Sequence, residues 1–453
     1  MLLALQLAIS MQRLVDDYVA APILRSAHVG VLITQAKNQR MLAQHNVDDV
    51  FTPASNMKLL VGSVARAKLG ASFAFHTRVE AQGSTLYLVG GGDAHLTVKD
   101  LDAAASAVVN ADMMSVDRIV VDATRYSPQR YAPGWSIDDI PYDYAAPVSA
   151  MSLEENTLHI HIDPAHRVGK PVHLQSTPQT SVVTIVNDAT TGLFGSADTT
   201  DIERPWDEPT TIRIVGSYPL AAATPDDFDA AVPDPPSYAG DIFARALARH
   251  GVIVRDGYSA GQAPADTRVL WSHDSEPMAG LLAQMWLPSD NLMAELLLRE
   301  LGVSASGPPG TIASGAKVER EWLRSIGVDP GQVDIADGSG LSIYDRVTPR
   351  DLVTVLMADW NAPWRADVIS GLPVAGKSGT LREAYIGTPA AGNLIAKTGT
   401  LMHVRTISGF IRTRTHGYLI FSLLINDWMN HGPSDVTALR MLDSRFFSSL
   451  ASS

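Results

Sequence analysis

Three short strings constrain this chain more than anything else in it: Ser55-Asn56-Met57-Lys58, then Ser289-Asp290-Asn291, then Lys397-Thr398-Gly399-Thr400, in that order along 453 residues. Each carries groups that do chemistry only in company, so a fold that uses them must lead the chain away after Lys58 and bring it back before Ser289. Ser55 and Lys58 stand at i and i+3, one face of a helix, which sets a hydroxyl beside an amine. A serine hydroxyl becomes a nucleophile when a base takes its proton, and a lysine serves as that base when burial or a second cation lowers its pKa. Lys397 is the candidate second cation. Taken alone, Ser55 reads as a helix N-cap beside a solvated lysine; the two later strings raise it above that reading.

Ser289-Asp290-Asn291 falls at a break between the helical runs 278–286 and 292–301, where side chains point into a cleft. There Ser289 is placed to relay a proton to a leaving amine and Asn291 to hold an acyl side chain by its amide. Lys397-Thr398-Gly399-Thr400 ends an apolar strand. Lys397 supplies charge for a substrate carboxylate, Thr398 and Thr400 supply hydroxyls, and Gly399 lets backbone approach closely. The backbone N–H groups of Ser55 and Thr400 are the expected oxyanion hole, each donor in such a hole being worth ~3 kcal/mol in the transition state. Two look-alikes are set aside. Ser314-Gly315-Ala316-Lys317 opens a charged helix and reads as capping, and Lys377-Ser378-Gly379-Thr380 has loop flanks where Lys397 has strands on both sides.

The length favours two or three domains. With 46% apolar and 18% charged residues the chain is globular, no run reaches the eighteen or so apolar residues of a membrane span, and a net charge of −13 offers no basic stripe for nucleic acid. The absence of cysteine excludes disulfides, thiolate nucleophiles and cysteine-based zinc sites. His159 and His161 share one strand face, but no third ligand stands at a usual spacing, so a solvated face is expected and no metal or cofactor. Residues 1–9 lack a preceding basic segment and a following cleavage site, and read as the start of a helix running to Val19.

Strands are expected at 29–34, 86–89, 158–162, 211–215, 394–398, 403–412 and 418–425, and helices at 55–67, 238–250 and 434–450. Gly90-Gly91-Gly92-Asp93 reads as a turn, lacking the spacing of a phosphate loop. Composition shifts to alternating, β-rich segments over 158–215, and the Pro-, Asp- and Ala-rich stretch 221–237 reads as a linker. The termini then form one sheet flanked by helices, with the middle of the chain inserted.

Together the three strings resemble those of the class C low-molecular-mass penicillin-binding proteins, three-domain D-alanyl-D-alanine carboxypeptidases/endopeptidases. Pro133-Gly134-Trp135, Asn156, Ala294-Glu295 and Asp337-Gly338-Ser339-Gly340-Leu341-Ser342 support the resemblance, which runs nearly end to end. It implies an α/β (α+β) penicillin-binding-protein/β-lactamase-like fold, an antiparallel sheet flanked by helices with two nested inserted domains. By it, 1–77 and 264–453 form the catalytic domain, 78–155 and 234–263 a second domain, and 156–233 an inner β-rich third. It implies Ser55, Lys58, Ser289, Asn291 and Lys397 as catalytic residues, and Thr398, Gly399, Thr400, Asp139 and Leu341 as substrate contacts. It further implies peptidoglycan stem peptides as substrate, β-lactams as covalent inhibitors, and a place outside the cytoplasmic membrane, in the periplasm or cell envelope. Asp139 is the acidic residue expected near the lysines, binding a substrate amino group. One departure stands out: Ile343 occupies the position where relatives carry an arginine for a diaminopimelate carboxylate. A β-lactamase or a D-amino-acid esterase or amidase on the same scaffold, and a silent wall-binding or penicillin-sensing module, remain as alternatives.

Overall fold

The computed structural model describes residues 2–220 and 226–453. Its central sheet is antiparallel and five-stranded, in the order Leu394–Leu401, Val404–Arg412, Tyr418–Asn426, His28–Gln35, Met41–His45. Successive side chains in a strand face opposite sides, and here both sides are covered. Leu419, Phe421, Leu423 and Ile425 pack beneath the terminal helices Leu2–Val19 and Pro433–Ser452, with Val15, Tyr18, Phe446 and Phe447. Ile420 and Leu424 face the other way, into a helical layer made of Met57–Leu69, Met278–Trp286, Asn291–Ser306, Ile312–Ser325 and Pro349–Asn361. Helix Met57–Leu69 lies at the centre of that layer and is buried all round from Met57 to Ala65, as a helix without a polar face must be.

Helix starts follow local chemistry. Thr348 and Asp351 form a capping box ahead of Pro349, and Thr311 and Ser314 do the same for Ile312–Ser325, so Ser314 does cap a helix.

Between Met57–Leu69 and Met278–Trp286 the chain builds further sheets. The largest runs Tyr258–Ala260, Arg118–Asp122, Thr85–Val89, His76–Gln82, Arg268–Asp274, with helices Val98–Asn110 and Pro235–Arg249 against it. Arg268–Asp274 pairs with His76–Gln82. The second sheet thus includes a strand beyond residue 264, and helix Met278–Trp286 follows it.

The expected linker 221–237 needs correction. Residues 221–225 lie outside the described residues, but Asp226–Ala231 is a strand paired along Thr157–Asp163, and Pro235–Arg249 is a helix. Its aspartates disguise the strand. Asp227 and Asp229 stand opposite His161 and His159, with Nδ1 to Oδ1 distances of 2.6 and 3.0 Å, and Ala230 packs on the buried side with Leu158 and Ile160. The histidine pair thus faces cross-strand carboxylates.

Glu319, on helix Ile312–Ser325, is fully buried, and neither carboxylate oxygen has a hydrogen-bond partner among the described residues. Burial pushes its pKa up to about 8 from 4.5. The folded chain then holds a proton that the unfolded chain releases, so stability present below the unfolded value is lost as pH rises through about 8. Glu319→Gln removes this dependence. The gap in thermal midpoint between variant and parent should widen in the variant's favour from about pH 5 to about pH 9; a gap that stays constant contradicts the assignment.

Candidate active site

Ser55 lies on a 3-10 turn, Ala54–Asn56, that leads into helix Met57–Leu69, so the α-helix begins two residues later than expected. The i, i+3 relation survives the tighter turn: Lys58 Nζ donates to Ser55 Oγ at 3.0 Å. Ala54, just before the nucleophile candidate, has φ 48°, and Ser289 has φ 72°. Each non-glycine residue in this region stores ~1 kcal/mol or more, held in place by its surroundings.

Lys58 is 0% exposed. Its ammonium also donates to Asn291 Oδ1 and to the Ser339 carbonyl at 2.7 Å, acceptors from two other parts of the chain. Trp286 Nε1 fixes the helix from behind by donating to the Lys58 carbonyl at 2.8 Å. Lys397, likewise 0% exposed, donates to Ser289 Oγ at 2.9 Å and to the Thr398 carbonyl at 2.8 Å. Ser55, Lys58, Ser289, Asn291 and Lys397 are therefore gathered around one hollow.

Burial lowers Lys58 to about 8, although Asp337, Asp290, Glu295 and Asp345 pull the other way. Burial, and then the charge of Lys58, holds Lys397 well below the usual lysine range. Two ammonium groups around one hollow oppose each other, so their charges are not independent.

Strand Leu394–Leu401 is the edge of the sheet. Ala396 N–H turns outward to the Pro373 carbonyl at 2.9 Å, and the two-residue alternation turns the N–H groups of Thr398 and Thr400 to that same side. A Cβ on Gly399 would stand 2.2 Å from Thr406 Oγ1 and 2.9 Å from Ser55 N. Only glycine lets the strand press against the turn, and this contact brings the Ser55 amide to the edge that carries Thr400. Asn56 pins the same junction, donating to Thr406 Oγ1 at 2.7 Å.

The carbonyl that receives Lys58 is positioned by carboxylates. Asp337 accepts from Gly340 N at 2.6 Å, Ser342 N at 2.7 Å and Trp135 Nε1 at 2.8 Å, while Glu295 accepts from the N–H groups of Gly338 and Ser339 at 2.8 and 3.0 Å. Glu295 and Arg299 form an ion pair of 2.8 Å that is wholly buried. Gly340, at φ 80°, passes so close to the Ala54 carbonyl that a Cβ would sit 1.8 Å from its oxygen.

The remaining candidates stand further out. Asp139 accepts from Tyr144 OH at 3.1 Å rather than meeting either lysine, and Tyr144 reaches the site through its carbonyl, which accepts from Asn291 Nδ2 at 2.6 Å. Leu341 is buried in the Asp337 loop, whereas Ile343 is 57% exposed.

Sequence reasoning missed the carbonyls of Ser339 and Tyr144, for which no side chain gives a signal. It also missed His95, whose Nε2 lies 3.2 Å from Asp290 Oδ2, and Thr380, whose hydroxyl is 2.7 Å from that of Thr398. In the sequence Thr380 belongs to one of the look-alike strings. Its string is indeed a loop with a 3-10 turn, but the loop borders the site.

Comparison with known proteins places these features in a family. A D-alanyl-D-alanine carboxypeptidase of an Actinomadura species is 32% identical over 455 residues, covering 95% of this chain and 84% of the relative. Penicillin binding protein 4 (dacB) of Haemophilus influenzae shares the fold, with a TM-score of 0.86 at 22% identity over 97% of this chain and 99% of that one. The same Haemophilus influenzae protein complexed with a novel β-lactam superposes with a TM-score of 0.80, again at 22% identity and with the same coverage. Residues 11–443 match the D-Ala-D-Ala carboxypeptidase 3 (S13) family, to which the chain therefore belongs.

Proposed function

We propose that the chain is a serine-type D-Ala-D-Ala carboxypeptidase that cuts the terminal D-Ala-D-Ala bond of peptidoglycan stem peptides through an acyl-enzyme on Ser55. The observation that carries this reading is the 3.0 Å hydrogen bond from Lys58 Nζ to Ser55 Oγ in a hollow shared with a second buried lysine. Neutral Lys58 takes the Ser55 proton as Oγ bonds to the carbonyl carbon. The Ser55 and Thr400 N–H groups receive the oxyanion. The C–N bond breaks, free D-alanine leaves with a proton passed through Ser289, and water then releases the shortened peptide and restores Ser55. Lys397 and Thr398 hold the terminal carboxylate, Asn291 orients the acyl part, and Gly399 leaves room for its backbone. Asp139 and Tyr144 border the space for the stem side chain, and Leu341 supports that wall from below. With Ile343 in place of arginine, a side-chain carboxylate on the stem has no guanidinium partner at this position.

The titration pattern supports Lys58 as base. A carboxylate arriving at Lys397 favours the charged form there, and that charge repels the proton on Lys58. A β-lactam acylates Ser55 by the same step, but its leaving group stays tethered, so the adduct persists. The β-lactam complex of the related Haemophilus influenzae protein supports this. Endopeptidase cleavage of cross-links uses the same groups. We assign the catalytic domain to the body holding the central sheet, with the second sheet and the smaller sheets as inserted domains. Among the described residues no helix is long and apolar enough to cross a membrane, and we place the protein outside the cytoplasmic membrane because its polymer lies there.

Two outcomes follow. Intact-mass analysis after incubation with penicillin should show one added drug molecule, mapped to the peptide containing Ser55. Ser55→Ala should show none and lose D-alanine release by several orders of magnitude, roughly 10⁴-fold or more. An adduct elsewhere, or undiminished release, contradicts the reading, and rapid cephalosporin turnover without a lasting adduct makes the protein a β-lactamase. The second-order rate of penicillin acylation, which reports the free enzyme, should rise with pH through about 8 as Lys58 loses its proton; a rate that falls over that range contradicts Lys58 as base.

A further inference from the structure

The look-alike string Lys377-Ser378-Gly379-Thr380 ends at the wall of the active site. Thr380 Oγ1 and Thr398 Oγ1 lie 2.7 Å apart, and neither hydroxyl has another side-chain partner among the described residues. Each hydroxyl carries one proton and accepts at two lone pairs, so within the pair one O–H is spent on the other and one is left to donate outward. Beside it stands Lys397, whose ammonium is 2.8 Å from the Thr398 carbonyl.

Thr380 is held in this place by its backbone. Its N–H donates to the Leu287 carbonyl at 3.1 Å, two residues before Ser289. Gly379, at φ 57°, passes so close to that carbonyl that a Cβ would stand 2.6 Å away. Ser378 closes the loop, its hydroxyl accepting from Val374 N at 3.1 Å. Leu381 is buried, while the Thr380 side chain itself is exposed toward solvent. The loop thus spans from the Ser289 turn to strand Leu394–Leu401 and presents one hydroxyl at the place where the strand presents another.

The geometry points to Thr380 as a carboxylate-binding residue: its hydroxyl and that of Thr398 together receive the terminal carboxylate of the substrate, with Lys397 supplying the charge. This rests on the carboxypeptidase reading and extends it to a residue outside the three motifs. On binding, the two hydroxyls exchange their mutual hydrogen bond for one each to the carboxylate oxygens, so no donor is left unpaired.

The test compares an acyl-D-Ala-D-Ala peptide with its C-terminal carboxamide in the parent, Thr380→Val and Thr380→Ser. A hydrogen bond to a charged group predicts a loss of about 10- to 100-fold in kcat/KM on the free acid for Thr380→Val, carried mainly by KM. The loss on the carboxamide should be about 3-fold or less, and Thr380→Ser should recover most of the activity. Equal losses on both substrates mean that Thr380 only supports the fold, and no loss on the acid means that it does not touch substrate; either overturns the inference. Should Thr380→Val not fold, as judged by its thermal transition, Thr380→Ala reads the same ratio. A parent that releases no D-alanine at all sinks the carboxypeptidase reading instead, which keeps the two failures apart.

Discussion

Two fully buried lysine side chains share one hollow, and much of the surrounding structure is arranged to permit it. Removing an ammonium from water costs several kcal/mol unless hydrogen bonds replace the lost solvation. Lys58 finds three acceptors, from the 3-10 turn, from the start of helix Asn291–Ser306 and from the Asp337 loop. Among the described residues Lys397 has a hydroxyl and a neighbouring carbonyl as acceptors and no carboxylate within hydrogen-bond distance. Burial, and then the charge of Lys58, holds Lys397 well below its ordinary range, whereas nearby carboxylates oppose burial at Lys58, so a bound carboxylate is the natural counterion for Lys397.

The same demand reaches into the inserted part of the chain. Trp135 donates to Asp337, the Tyr144 carbonyl accepts from Asn291, and His95 faces Asp290. Each contact comes from the segment between Met57–Leu69 and Met278–Trp286, and each ends on a residue of the site or on the carboxylate that frames it. Losing the Trp135 bond would take a donor from the fully buried Asp337, at a cost of about 1–3 kcal/mol. The insertion is therefore part of the frame that holds the lysines.

Much of this was legible in the sequence, because the groups that do chemistry are side chains with local spacing. Ser55 and Lys58 share a helical face whether that turn is 3-10 or α, and the C-terminal strands announce themselves as apolar runs because both faces of the sheet are covered. The Asp337 string was visible only through resemblance, since what it contributes is a carbonyl and a set of N–H groups. The strand Asp226–Ala231 was hidden because cross-strand histidines, rather than an apolar face, accommodate Asp227 and Asp229. Arg268–Asp274 joins the second sheet through its pairing with His76–Gln82, which its own composition does not announce. The flanks of the string holding Thr380 read as a loop. That reading of the loop is correct, but a loop pinned by the Leu287 carbonyl holds a hydroxyl as firmly as a strand does.

The claim beneath this account is that the two lysines lie around one hollow, each held below its ordinary range by burial, with the charge of Lys58 further disfavouring charge on Lys397. With eight lysines in the chain, NMR titration of ¹³C-labelled lysine side chains resolves them, and Lys58→Arg and Lys397→Arg assign the two signals. The account predicts one signal titrating at about 8, another displaced well below the ordinary lysine value of about 10.4, and a shift of the Lys397 signal when Lys58 is replaced by an uncharged residue. Two signals titrating with the surface lysines, each indifferent to loss of the other, would contradict it.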